Sequence, residues 1–261
     1  MSTPTSARPK TSRGEHFYDP NTGKPCHFVP RANGEGARPA NVADARANGW
    51  VPGVTTVLAA LDKPALHAWK VEQALLACLT APRREGEGID AFVQRVIHEE
   101  RQHEVEAAKS AHEGTALHDA LASALRGQVY EERLRPWVEP IRDYLSTQGE
   151  VVGVEEVYIT RDYGCRIDAV LVNTSGYLIY DFKTTSKLPE ESWMEHRLQL
   201  AAYGKAFERC KGNKICPLAV RNLYLLRSEP NKFKVTEHPT WQRTYFDGFV
   251  PLLAVWNYLH K

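Results

Sequence analysis

Residues 163–185, YGCRIDAVLVNTSGYLIYDFKTT, hold the side chains best spaced to do chemistry: Asp168, Asp181 and Lys183. Asn173, Thr174, Ser175 and Gly176 are turn formers between two β-branched and aromatic runs, which predicts a hairpin. A turn centred between Thr174 and Ser175 places Asp168 opposite Asp181. Facing residues hold their Cβ atoms about 4.5–5.5 Å apart, and like charges there destabilise the pair. Two carboxylates framed by Ile167, Val170, Leu178 and Ile179 must share a proton or a cation, and oxygen-rich pairs favour hard ions such as magnesium. Lys183, two residues past Asp181, is on the same strand face about 6.6–6.8 Å further along. Such a face suits phosphodiester hydrolysis, in which a metal polarises the phosphoryl oxygen and lowers the pKa of water while a cation orients that water or offsets developing charge. The plain alternative is a surface hairpin with solvated Asp and Lys side chains; the inferred register is what raises chemistry to equal standing with it.

The elements that must position these residues follow from periodicity. Val54, Val57, Leu58 and Leu61 recur at helical spacing, and Pro64 suits the first turn of a second helix carrying Leu66, Trp69, Leu75, Leu76 and Leu79. A long charge-laced helix is predicted over 88–125 and another over 131–147, with Trp137, Ile141, Tyr144 and Leu145 on one face. Then VVGVEEVYI, CRIDAVLV and GYLIYDF read as three successive strands. A helix over 189–210, a strand at VRNLYLLR, an edge strand at KFKVTEH and a C-terminal helix complete the chain. Upstream, residues 1–14 read as a disordered tail, HFYDPNTGKPCHFV as a small hairpin and 30–49 as loop. This order predicts an α/β fold, helices layered on one mixed sheet. A tail and hairpin/loop region (1–49) would precede a single domain (50–261), divided into a helical part (50–150) and an α/β catalytic core (151–261).

Composition sets few limits. With 261 residues, 43% hydrophobic and 25% charged, the chain can bury a real core. Its 33 basic and 32 acidic residues give a net charge of +1, so any phosphate-binding surface must be a local patch. Arg and Lys near 63, 70, 83, 84, 95 and 101 either line a nucleic-acid channel or form a solvated helix face, the commoner case. The N-terminus lacks a signal-peptide apolar run, and no stretch reaches the roughly 18 apolar residues of a membrane span, so a cytoplasmic protein is expected. Cys26, Cys78, Cys165, Cys210 and Cys216 are dispersed and form no C-x-x-C pair, which favours ordinary thiols over iron–sulfur ligands.

The pattern G-x-x-x-D, twelve residues, D-x-K, then a helix with Q-L-x-x-Y resembles the PD-(D/E)XK nuclease superfamily, closest to its RecB-like branch with phage recombination exonucleases. Here it is carried by Gly164, Asp168, Asp181, Lys183, Gln199 and Tyr203. GTALHDAL resembles the branch's preceding helical motif and points to His118; VGVEEVYI resembles the strand that adds an acidic residue, Glu155 or, one place on, Glu156. GVTTVLAALDKPALHAWK resembles the N-terminal part of phage-encoded members, so the likeness spans about residues 50–210. It implies a restriction-endonuclease-like core with an N-terminal helical extension. Asp168 and Asp181 would bind magnesium, or manganese in its place, with Glu155, His118 and the Phe182 carbonyl as further ligands or neighbours. Lys183 would orient the attacking water, and Gln199 and Tyr203 would steady Lys183 or a substrate phosphate. Asp181 stands where many relatives have Glu, though aspartate is common in this branch. The implied activity is a deoxyribonuclease, first an exonuclease of phage recombination, repair or processing. DNA would be the substrate, a single-strand annealing or recombination protein a partner, and an oligomer possible in form.

Each outer residue has a plainer reading: His118 as a helical histidine satisfied by a carbonyl, Gln199 as solvated, Tyr203 as core in a stripe with Leu200 and Phe207. Zinc-protease chemistry fails, because neither His98-Glu99 nor His112-Glu113 is followed by histidine at the i, i+4 position. A helical phosphohydrolase built on His118-Asp119 leaves the three strands unexplained. The alternative that survives is a catalytically silent nuclease-like module that binds DNA ends or protein.

Overall fold

The computed structural model describes residues 16–61 and 64–260, with side chains at 64–70, 73 and 100–113 outside the description. The predicted tail at 1–14, Lys63, and the side chains of Leu66, Trp69, Lys70, Arg101, His103, His112 and Glu113 therefore lie outside the described residues. In chain order the elements are β1 (Phe17–Asp19), β2 (Lys24–Pro25), β3 (Phe28–Pro30), β4 (Ala37–Pro39), α1 (Val42–Asn48), β5 (Val51–Pro52), α2 (Val54–Leu58), α3 (Pro64–Thr80) and α4 (Ile89–Leu125). They continue with α5 (Arg135–Gln148), β6 (Glu150–Ile159), β7 (Gly164–Asn173), β8 (Gly176–Thr185), α6 (Met194–Cys210), β9 (Ala219–Leu226), β10 (Phe233–Glu237), α7 (Trp241–Thr244) and α8 (Val250–Leu259). The chain forms two compact units, Met1–Ala60 with Leu117–Lys261, and Leu61–Ala116.

In the smaller unit, α3 opens at Pro64 as its sequence predicts and leaves Val71, Leu75, Leu76 and Leu79 exposed. Arg95 is not spare positive charge: it is bound by Glu87 and Glu99 and sits with Arg83 around the Phe92 ring.

The larger unit is built on a five-stranded sheet of order β10-β9-β8-β7-β6, mixed because β8 and β9 run parallel while the other neighbours are antiparallel. A parallel pair needs a long crossover, and α6 is that crossover. Its Leu200, Ala201, Ala206 and Phe207 are fully buried. Phe207 meets Tyr158 of β6 and Tyr177 of β8. Tyr180 alternates with Ile179 and Asp181, so it faces the other way, where Arg221 joins its hydroxyl to Gln148 of α5. Both faces are thus covered, and β7 and β8 read as near-continuous apolar runs for that reason. On α5, Ile141 and Leu145 are buried, Trp137 donates to the Leu226 carbonyl and Tyr144 packs on Phe233, the face its spacing predicts.

The β7–β8 hairpin has the predicted turn. Asn173 pairs with Gly176 across Thr174 and Ser175, and its side-chain oxygen accepts from the backbone of Ser175 and Gly176. Two expectations are corrected. Residues 30–49 are not loop: β3 pairs with β4, and α1 starts at Asn41 through a capping box with Asp44, which Arg38 also grips. These elements are too short to show periodicity, and caps rather than an apolar stripe hold them. The helix expected from 189 begins at Met194, because Lys234 binds the Pro189 and Glu190 carbonyls and Ser192 binds Asn222. Gly164 answers a close approach: a Cβ there would run into the Tyr18 ring, where Gly53, just past β5 of the β2–β1–β5 sheet, bridges to Gly164 of β7.

Candidate active site

Asp181 is the most enclosed of the chemistry-bearing groups, 2% exposed near the middle of the central strand. Its Oδ1 accepts from Lys183 Nζ at 3.2 Å and Gln199 Nε2 at 3.1 Å. Its Oδ2 accepts from Lys183 Nζ at 2.9 Å and Asn222 Nδ2 at 2.8 Å. Lys183 also donates to Gln199 Oε1 at 2.9 Å, and Gln199 Nε2 donates to the Tyr203 hydroxyl at 2.7 Å. Three elements are needed for this. β8 places Asp181 and Lys183 on one face, α6 brings Gln199 and Tyr203 four residues apart on one helix face, and β9 supplies Asn222. Gln199 is buried rather than solvated, and Tyr203 serves the network as well as the core.

Asp168 lies where the β7–β8 register, which runs through Ala169↔Tyr180, would continue to Asp181. Its Oδ2 accepts the Phe182 backbone N–H at 2.6 Å and stands 3.8 Å from His118 Nδ1. The His118 ring meets Phe182 at 6.2 Å. On the other neighbour, the β6–β7 register passes from Val154↔Ala169 to Glu156↔Ile167, which puts Glu155 at the level of Asp168. Glu155 has φ 56°, a left-handed conformation uncommon for a non-glycine residue, and its carboxylate is 3.7 Å from Arg166. Glu156 instead accepts from the Tyr158 hydroxyl at 2.6 Å. Of the two glutamates, Glu155 is the one beside Asp168.

A family model described as the PD-(D/E)XK nuclease superfamily matches residues 64–248, most of the chain and all of this constellation. The chain belongs to the PD-(D/E)XK nuclease superfamily. The mixed sheet with flanking helices is consistent with the restriction-endonuclease-like fold of that family. No curated protein matches the chain. Among solved structures, one described as "Crystal structure of SSO0001" matches 71% of this chain and 86% of that chain at 14% identity, with a TM-score of 0.31, too distant to carry inference.

In this PD-(D/E)XK domain, burial pushes the Asp181 carboxyl up, the Lys183 ammonium opposes that, and the Asp168 charge adds to it. Burial also drives the Tyr203 phenol well above its usual range, with Asp181 beside it, so it stays a neutral hydrogen-bonding group. Among the described residues, no three or more His, Cys, Asp or Glu side chains are gathered to hold a metal ion, the cysteines included. The donor set still fits magnesium, which takes one or two carboxylates and completes its shell with water and substrate phosphate. Buried like charges on Asp168 and Asp181 are the feature a cation would relieve.

Asn222, Tyr224 and His196 belong to the same network and were missed in the sequence. Asn222 Oδ1 accepts from Ser192 Oγ at 3.1 Å, and the Tyr224 hydroxyl is 2.9 Å from His196 Nδ1. The signal was an asparagine in the strand run AVRNLYLL, whose other residues apart from Arg221 are apolar or aromatic, and the structure buries it fully. Its role depends on the parallel register Asp181↔Asn222 and Lys183↔Tyr224, which joins strands far apart in the chain.

Proposed function

We propose that this domain is a divalent-metal-dependent deoxyribonuclease that hydrolyses DNA phosphodiester bonds. The observation that carries the reading is the Lys183 ammonium, held between Asp181 and Gln199 Oε1, with the Lys183 side chain 23% exposed and the Asp181 side chain 3% exposed. A half-buried cation fixed by buried acceptors is suited to orienting a water or steadying charge on a phosphoryl oxygen.

Asp168 and Asp181 would hold magnesium or manganese, with Glu155, His118 and the Phe182 carbonyl as the nearest further candidates. When bound, such an ion supplies Lewis-acid polarisation of the phosphodiester. The residues of this chain do the rest. Gln199 bridges Lys183, Asp181 and Tyr203, so the ammonium keeps one orientation. Asn222 holds the second oxygen of Asp181, and the Phe182 N–H holds Asp168.

The exonuclease reading, in phage recombination, repair or processing, rests on the resemblance to the RecB-like branch, as do a recombination-protein partner, an oligomer and a cytoplasmic setting. Among the described residues, no helix is long and apolar enough to cross a membrane. A silent binding module is the rival, and the presence of Asp168, Asp181 and Lys183 together speaks against it. End-labelled linear and circular DNA, incubated with and without magnesium, tests the proposal. Magnesium-dependent loss of linear DNA alone supports an exonuclease, nicked circles an endonuclease, and no cleavage of either sinks the catalytic reading.

A further inference from the structure

Trp193 sits immediately before α6 and is 54% exposed, although it packs on two aromatic neighbours. Its ring lies 5.0 Å from the His196 ring and 6.2 Å from the Tyr224 ring, and those two are 5.7 Å apart, so three rings brace one another. The brace is tied to the candidate active site by hydrogen bonds. Tyr224 binds His196 and reaches Asn222 Oδ1 at 3.5 Å, and Asn222 holds Asp181. Ser192, the residue before Trp193, donates to the same Asn222 oxygen. The parallel register places Tyr224 beside Lys183. Trp193 is therefore a rigidly backed, exposed aromatic, two side chains removed from Asp181.

We propose that Trp193 is a stacking platform for an unpaired nucleobase of the strand whose phosphate enters the Asp168–Asp181–Lys183 site. This rests on the nuclease reading and extends it to substrate class. A large exposed aromatic costs free energy in water unless something covers it, and aromatic side chains near a backbone-tracking site are where bases of single strands stack. A base inside a duplex has both faces covered by its neighbours. A blunt end offers only the outer face of its last pair, whereas an overhang or single strand offers the faces of every unpaired base. The platform thus favours strands with unpaired ends over blunt duplex, without reading their sequence.

The test uses an oligonucleotide duplex with a 2-aminopurine in a short overhang, and the same label inside a blunt duplex, titrated with the full chain in chelator so that binding is read apart from cleavage. Stacking on Trp193 predicts quenched fluorescence for the overhang alone. Trp193→Phe retains most of the quenching. Trp193→Ala loses it and binds the overhang about 10-fold more weakly, within the range found when one stacking aromatic is removed. Lys183→Ala, which tests cleavage, keeps the quenching. Equal quenching and affinity in wild type and Trp193→Ala, with circular dichroism showing both folded, overturns the platform even if wild type cleaves DNA. Quenching that depends on Trp193 in a protein that cleaves nothing upholds the platform and overturns the catalytic reading instead.

Discussion

Lys183 and Gln199 meet across the β8–α6 crossover, the ammonium donating to Oε1 at 2.9 Å while the same amide's nitrogen donates to Asp181. One glutamine thus fixes both members of the charged pair, and the geometry of the site depends on how α6 packs.

Lys183→Ala removes the half-buried ammonium that pairs with Asp181, and circular dichroism checks that the variant folds before its rate is read. The expected outcome is a fall in kcat of about 10²–10³-fold, typical for loss of one preorganised charge-stabilising group, with little change in DNA affinity. Single-turnover cleavage of labelled DNA in magnesium measures it, and cleavage at the wild-type rate would remove Lys183 from the mechanism.

Gln199→Leu removes one hydrogen-bond partner each from half-buried Lys183 Nζ, buried Asp181 Oδ1 and the buried Tyr203 hydroxyl. Stability should drop by about 1–3 kcal/mol, the cost of orphaned buried groups, and kcat should fall while KM holds. Urea denaturation and steady-state kinetics report the two effects separately.

Magnesium should raise the melting temperature of the wild type, because an ion that binds only the folded chain stabilises it by mass action, about 2.7 kcal/mol at one hundred times its Kd. Asp168→Asn and Asp181→Asn should abolish that rise, and chelation should abolish cleavage. An identical magnesium-induced shift in all three proteins would place the ion elsewhere.

Gly164→Ala puts a Cβ into Tyr18. A loss of about 1–3 kcal/mol is expected from overpacking, read as a lower urea midpoint with an unchanged slope. A wild-type midpoint would mean that Tyr18 yields freely.

His27 should make the fold acid-sensitive. Burial, with the charges of His16 and Arg166, lowers it from 6.5 to about 4. In that interval the unfolded chain binds the proton and the folded chain does not, so this contribution to stability is complete above about 6.5 and lost as pH falls towards about 4. His27→Phe keeps an aromatic against His16 and Tyr18 without the titration. Between pH 7 and 5 the wild-type melting temperature should fall on the order of 2–4 °C more than that of the variant, a loss of about 1 kcal/mol; parallel curves would refute the assignment.

The sequence by itself determined the hairpin and its register, because turn residues and strand alternation are local: Asn173 to Gly176 close the turn as read, and Asp168, Asp181 and Lys183 follow from it. It also determined the existence and type of the long elements, since α5 carries a clear apolar face, α4 is a long charge-laced run and the three strands are β-branched and aromatic runs bounded by turn residues. Short elements such as β4 and α1 escaped it, held by the Asn41–Asp44 caps and an Arg38 ion pair rather than by any pattern. Strand alternation sets the two carboxylates opposite one another, and the fold adds their other partners, the Phe182 N–H at Asp168 and Lys183, Gln199 and Asn222 at Asp181. Only tertiary structure decided that, because Asn222 reaches Asp181 through a parallel pairing 41 residues away and Gln199 through the packing of a crossover helix. Contacts of that range are set by burial of whole faces, which no short window of sequence contains.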